Sequence, residues 1–261
     1  MPRFSAHLGY LFLDRPLLQR IDAAAACGFK AIEGRFPEGI AIEDFRRAVE
    51  HSGVQVLGIN TPQGSDKEFG FGALPGREEE WRTSFARALD FVGGVGGLAI
   101  HCLAGMVTPE ARRDAEKVFV ENLKRAADQA AARKIKLYLE PINQRDVPNY
   151  FLNSVEQAAD IIAKVGSDNV FIQYDFYHVQ IVGGDLIERF KKYQPLIAHA
   201  QCSQVPVRHE PDSDGEINYP FVFAELDRLG YPYWVGAEYR PRTTTEAGLG
   251  WGAKWGLKPS T

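Results

Sequence analysis

Short apolar runs alternate with amphipathic helical stretches along this whole chain, the pattern of βα units feeding a parallel sheet. Eight strands are expected, over residues 5–11, 31–34, 54–59, 97–101, 136–140, 170–175, 197–201 and 234–238. Eight such units in 261 residues match a (β/α)8 barrel, which takes about 250. No linker, low-complexity tract or charge block interrupts the rhythm, so residues 1–261 are expected to form one domain. The fold class read from the pattern is α/β, a single (β/α)8 TIM barrel.

The clearest helix spans about residues 109–133, where Val120, Leu123, Ala127 and Ala130 recur at helical spacing. Thr108-Pro109 supplies a start, an N-cap followed by proline at the first position. Ser154 and Gln157 stand in capping-box spacing before Ile161 and Ile162, and Gly166-Ser-Asp-Asn169 marks that helix's end. Two stretches break the rhythm: residues 64–76, rich in glycine, and residues 205–219, polar with prolines. Both follow strands, so a barrel places both on its C-terminal, site-bearing face. A loose Gly-x-Gly-x-x-Ala match from Gly94 to Ala99 follows a helix and enters a strand, the reverse of a dinucleotide fingerprint. It reads as a helix C-cap and loop.

A formal charge of −4 and a pI near 5.9 argue against a broad phosphate-binding surface, so no nucleic-acid partner is expected. Cys27, Cys102 and Cys202 are too scattered for a disulfide framework and read as core or rim thiols. Met1-Pro-Arg-Phe4 leads straight into a strand with no apolar leader. No run approaches the roughly 20 apolar residues of a membrane span. The expectation is a cytoplasmic, soluble protein with no membrane partner. Trp81, Trp251 and Trp255 mark either a subunit contact in a homo-oligomer or packing on the outer helices, and residues 258–261 read as a frayed end.

The chemistry stands at the strand ends. Strands five to eight finish on Glu140, Asp175, Gln201 and Glu238. A strand buried on both faces does not end in a carboxylate without a partner, because an unpaired buried charge is costly. Any one of the four alone would be a helix N-cap or a salt bridge. Four at equivalent positions of consecutive units converge on one barrel mouth. Three carboxylates and an amide oxygen make a hard, all-oxygen set, suited to one divalent metal such as Mg2+ or Mn2+ rather than Zn2+.

Histidines add to this. His178 follows Asp175 by three, on what reads as a loop, and His101 ends the fourth strand; both suit substrate contact or acid–base work. His7 lies within the first strand and His51 at a surface helix end, while His199 is open between core packing and a site role. Arg208, in Arg208-His-Glu-Pro-Asp212, can grip a carboxylate with two parallel hydrogen bonds; the alternative is a solvated charged loop.

Tyr174-Asp-Phe-Tyr-His178, Arg208-His-Glu-Pro-Asp212, Gly215-Glu-Ile-Asn-Tyr-Pro220, Gly236-Ala-Glu-Tyr-Arg-Pro241, Ala73-Leu-Pro-Gly-Arg77 and Pro2-Arg-Phe4 resemble the hydroxypyruvate isomerase family. That family belongs to the xylose-isomerase-like barrels, and the likeness runs from Pro2 to Trp251. The resemblance implies metal ligation by Glu140, Asp175, Gln201 and Glu238, with Glu140 and Glu238 also the acid–base pair. It implies substrate contacts from His178 and Arg208. In the sugar-epimerase relatives the seventh-strand ligand is usually histidine, and Gln201 departs from that. In the endonuclease branch a histidine-rich cluster binds several zinc ions, whereas here the third strand ends in Asn60-Thr61. The implied reaction takes hydroxypyruvate to tartronate semialdehyde through an enediolate. A 2-oxo-tetronate isomerase, a ketose 3-epimerase and a non-catalytic small-molecule binder are the alternatives.

Overall fold

Eight parallel strands pair in sequence order and close on themselves: β1 (Arg3–His7), β2 (Ala31–Gly34), β3 (Gln55–Asn60), β4 (Ala99–His101), β5 (Lys136–Leu139), β6 (Val170–Asp175), β7 (Ile197–Cys202) and β8 (Trp234–Ala237). The computed structural model describes residues 1–65 and 67–258. Asp66, in the glycine-rich loop, and most of the expected frayed end, residues 259–261, lie outside the described residues. The barrel closes where Phe4 pairs with Val235 and Ser5 with Gly236. Both faces of each strand are covered, which is why the strands read as nearly unbroken apolar runs. β1 starts earlier than its apolar run, at Arg3, and stops at His7, where the amides of Tyr10 and Leu11 turn back onto the His7 carbonyl.

Outside the barrel lie α1 (Leu17–Ala26), α2 (Ile42–Ser52), α3 (Glu78–Gly94), α4 (Arg112–Ala131), α5 (Val155–Val165), α6 (Phe176–Val182), α7 (Leu186–Tyr193) and α8 (Tyr219–Arg228). The helix expected from residue 109 begins as a 3-10 turn, Pro109–Ala111, that runs into α4. Thr108 is extended there and makes no side-chain cap bond. Val120, Leu123, Ala127 and Ala130 all face the core. At α5 the cap is as the spacing predicts: Ser154 Oγ accepts from the Gln157 amide at 3.1 Å. The Gln157 side chain in turn accepts from the Asn153 amide at 3.1 Å, one residue short of the reciprocal box. Gly166, at φ 70°, ends the helix in the left-handed conformation that glycine takes without strain.

The eighth unit departs from the expected pattern. After β8 the chain forms a 3-10 segment, Leu249–Trp255, in place of an α-helix. Gly248, Gly250 and Gly252 explain it, since each glycine weakens a helix by about 1 kcal/mol relative to alanine. Trp251 and Trp255 set their rings 4.9 and 5.0 Å from Phe4 and also meet Phe223, while Trp81 is buried beside Phe85. All three tryptophans pack on the barrel. Inside it, Tyr138 stacks on His199 at 5.7 Å, beside Ala99 and Ala198. No helix among the described residues is long and apolar enough to cross a membrane.

Candidate active site

Glu140 and Glu238 are the first residues beyond β5 and β8, Asp175 is the last of β6, and Gln201 lies within β7. Gln201 stands in register with Asp175 on one side and Gly236 on the other. All four side chains are buried. A cavity of about 210 Å3 at this end is lined by Glu140, Glu238, His178, Arg208, His101, His7 and Tyr10, among others. Asp175 and Gln201 do not line it; Asp175 connects to it through His178 and Arg208. A larger groove of about 730 Å3 adjoins, sharing Arg35, Asn60, Gln63 and Leu103. Its carboxylates, Glu38, Glu79 and Glu80, pair with Arg87, Arg82 and Arg77 at the surface. The smaller cavity is therefore the one that gathers buried carboxylates, histidines and a guanidinium.

Asp175 divides its two oxygens. Oδ1 caps α6 by accepting from the Tyr177 amide at 2.9 Å, and Oδ2 lies 3.2 Å from Arg208 Nη2 and 3.5 Å from His178 Nε2. His178 is consequently on a helix, α6, and not on a loop; the cap starts a helical turn directly at the strand end. Glu140 Oε2 accepts from Gln173 Nε2 at 2.9 Å and lies 3.4 Å from His101 Nδ1, while Oε1 is 3.6 Å from His178 Nε2. Glu238 Oε1 lies 3.0 Å from Arg208 Nη2 and 3.9 Å from His7 Nε2.

Arg208 is buried, which rules out the solvated-loop alternative. Gln204 pins the loop: its amide oxygen accepts from the amides of Val205 and Ile217 at 3.1 and 2.8 Å, and its nitrogen donates to the Ile217 carbonyl at 2.9 Å. The guanidinium lies between the rings of Tyr10 and Tyr177, 4.7 and 4.8 Å from their centres. Burial works against its charge, but Glu238, Tyr10 and Asp175 outweigh that and raise its pKa.

Burial also raises the carboxyls. Asp175 and Glu238 are each pushed up to about 7, against the pull of Arg208, and Glu140 goes well above its usual value through burial beside Glu238 and Asp175. Desolvation drives the histidines the other way, His7 to about 4, His101 to about 3 and His178 well below its usual value. With the histidines neutral, loss of the three carboxyl protons would leave an excess of negative charge beside Arg208, the guanidinium that contacts Asp175 and Glu238. A divalent cation matches that excess. Buried atoms without a hydrogen-bond partner among the described residues include Gln201 Oε1, Glu238 Oε2 and His101 Nε2, two oxygens and an imidazole nitrogen. Glu140, Asp175 and His178 each bring one ligand-type atom within 4.8 Å of the others. The carboxylates Glu140 and Asp175 fit a divalent metal, with His178 close beside them.

His178 is better placed to donate than to ligate. Asn143 Oδ1 accepts from the Asp146 amide at 2.8 Å, which turns Asn143 Nδ2 toward His178 Nδ1 at 2.6 Å. The Asn143 backbone amide also reaches Nδ1, at 3.3 Å. Nδ1 is thus the acceptor, and in the neutral ring the proton sits on Nε2, facing the carboxylates.

Sequence reasoning missed Glu33, Gln173, Asn143 and Tyr10. Glu33, in β2, accepts from Ser5 Oγ at 2.9 Å and Gln201 Nε2 at 3.0 Å, and lies 2.8 Å from His199 Nε2. His199 is thereby a packed residue with its hydrogen bond made. A carboxylate inside a strand buried on both faces was the available signal for Glu33, the same one that marks Glu140. His51 is exposed, and the three cysteines are buried.

The sequence profile of the xylose isomerase-like TIM barrel family matches residues 21–257. A 2-oxo-tetronate isomerase from Cupriavidus necator is 43% identical over 99% of this chain and 98% of its own. The human protein named "Putative hydroxypyruvate isomerase" is 41% identical over 95% of this chain and 93% of its own. Among solved structures, one described as a family 2 AP endonuclease from Brucella melitensis superposes with a TM-score of 0.95 at 37% identity, covering 98% of this chain and 99% of that one.

Proposed function

The chain belongs to the xylose isomerase-like TIM barrel family, and from that premise we propose that it isomerises a small hydroxy-carbonyl acid. The reading is hydroxypyruvate to tartronate semialdehyde, with one divalent cation, Mg2+ or Mn2+. The observation that carries it is the cluster of three buried carboxylates against one guanidinium at the ends of β5, β6 and β8. Glu140, Asp175, Gln201 and Glu238 would hold the cation. When bound it supplies Lewis-acid polarisation of the substrate carbonyl.

Glu140 and Glu238 move the proton. One takes it from the carbon bearing the hydroxyl, and the other, or the same one, returns one to the neighbouring former carbonyl carbon by way of an enediolate. Meanwhile the hydroxyl proton passes from one substrate oxygen to the other, so aldehyde and ketone exchange places with no external oxidant. His178 Nε2–H and His101 contact the substrate oxygens. Arg208 holds the carboxylate, fixing which carbon faces the base. Arg35 and Arg240 also line the cavity, have no ion pair among the described residues, and add the positive potential that an anionic substrate requires.

A cavity of about 210 Å3 is below the roughly 300–1,000 Å3 of drug-sized sites, the scale of a three- or four-carbon acid. The similarity to the Cupriavidus enzyme supports a second reading, a four-carbon 2-oxo-tetronate, by the same mechanism. Endonuclease action is disfavoured by the charge of −4 and by Asn60 at the end of β3. The test is turnover of hydroxypyruvate against 2-oxo-tetronates after chelation and after return of Mg2+ or Mn2+. Hydroxypyruvate turning over fastest, and only with cation, is the expected result. A faster four-carbon acid keeps the mechanism and changes the substrate; no acid turning over with any cation removes the proposal.

A further inference from the structure

Gln201 is the one ligand in the proposed set whose identity as an oxygen donor is not fixed by its own chemistry. A carboxamide offers an oxygen at one end and an NH2 of nearly the same shape at the other, and only its partners decide which end faces where. We infer that Glu33 is the positioning residue that decides it, holding the Gln201 nitrogen so that the oxygen is the end left for the cation. The inference rests on the reading of Gln201 as a ligand.

The geometry is specific. Gln201 Nε2 donates to Glu33 Oε2 at 3.0 Å, and Gln201 Oε1 is buried with no hydrogen-bond partner among the described residues. An ionised carboxylate only accepts, so it binds the NH2 end and refuses the oxygen. Ser5 Oγ at 2.9 Å on Oε1 and His199 Nε2 at 2.8 Å on Oε2 hold the carboxylate in turn. The backbone leaves room for this pair only because residue 236 is glycine: a Cβ there would stand 2.0 Å from Glu33 Oε1 and 2.9 Å from Gln201 Cγ. Four strands, β1, β2, β7 and β8, therefore each contribute one part to an arrangement that orients a single amide. A buried hydrogen-bonded carboxylate beside a ligand is a familiar second layer, and its loss typically costs about 10- to 100-fold in metal affinity.

The test reads Mn2+ affinity of the metal-stripped protein by calorimetry, with circular dichroism to confirm folding. Gln201→Ala and Glu33→Met are each expected to weaken Mn2+ binding by about 10- to 100-fold. Gln201→Glu sets a second carboxylate against Glu33 and is expected to bind Mn2+ poorly. The reciprocal E33Q/Q201E variant restores a donor–acceptor pair with an oxygen on residue 201, and is expected to recover affinity to within a few-fold of the parent. Gln201→Ala binding like the parent would remove the ligand assignment and this inference together. Loss in Gln201→Ala with parent-like affinity in Glu33→Met would leave the ligand standing and overturn the role of Glu33. If Glu33→Met does not fold, the swap decides: E33Q/Q201E binding no tighter than Gln201→Glu overturns the inference.

Discussion

Glutamine in place of Glu238 is expected to lower kcat by about 100- to 10,000-fold, the usual worth of a general base or acid, and Glu140→Gln to do likewise. Both changes keep the side-chain shape, so the loss would not come from packing. The surroundings make each carboxyl a usable proton carrier. Burial raises the Glu238 carboxyl to about 7 in the cation-free protein, with Arg208 at 3.0 Å pulling against it. Glu140 is raised well above its usual value and is held by Gln173 at 2.9 Å. Each glutamate is also a proposed cation ligand, so the assay must be run with Mn2+ saturating and binding measured beside it. Exchange of substrate hydrogen with deuterated solvent then separates the roles: a variant that binds Mn2+ fully yet exchanges slowly has lost its base. A glutamine variant with near-parent turnover under saturating Mn2+ would end that residue's assignment.

The barrel and the buried strand-end positions of four candidate residues were legible because parallel strands covered on both faces leave polar residues few places to go. Glu140, Asp175, Gln201 and Glu238 stand out against apolar runs for that reason. Glu33 obeys the same rule, yet its strand, Ala31–Gly34, is only four residues long and is followed by Arg35, so the carboxylate reads as part of a charged turn. Arg208 was legible by type but not by environment. Its burial depends on Tyr10 and Tyr177 closing on it from distant parts of the chain, and nothing within Arg208-His-Glu-Pro-Asp212 encodes that. The helical seat of His178 follows from one oxygen of Asp175 capping the next turn. Strand-end logic says that a carboxylate is present; it does not say how its two oxygens are shared. The glycine-rich 3-10 segment in place of an eighth helix follows from composition, and reading eight equal units hid it.

Without a cation, the folded protein is expected to lose stability as pH rises from about 6.5 to about 8, and Mn2+ to abolish that loss. Two sets of groups act in opposite directions. Asp175 and Glu238 are raised from 3.8 and 4.5 to about 7, and Glu140 is raised well above 4.5. The folded state therefore holds more carboxyl protons than the unfolded one, and their contribution, complete below the unfolded values, is lost as pH rises through about 7. His7 and His101 fall from 6.5 to about 4 and about 3, and His178 goes well below 6.5. There the unfolded chain binds the extra protons, so stability grows with pH up to about 6.5 and then levels. Below that point the two sets oppose each other. Above it the carboxyls act alone, and ionising them leaves an excess of negative charge buried. A divalent cation replaces those protons and binds more tightly as they leave. At a cation concentration about 100 times Kd the gain is about 2.7 kcal/mol, or roughly 5–10 °C in Tm for a chain of this size. Thermal melts at pH 6.5, 7.2 and 8, with chelator and with Mn2+, are expected to diverge steadily. Curves that stay parallel, or a chelated protein that gains stability above pH 6.5, would show that these carboxylates are not waiting for a cation.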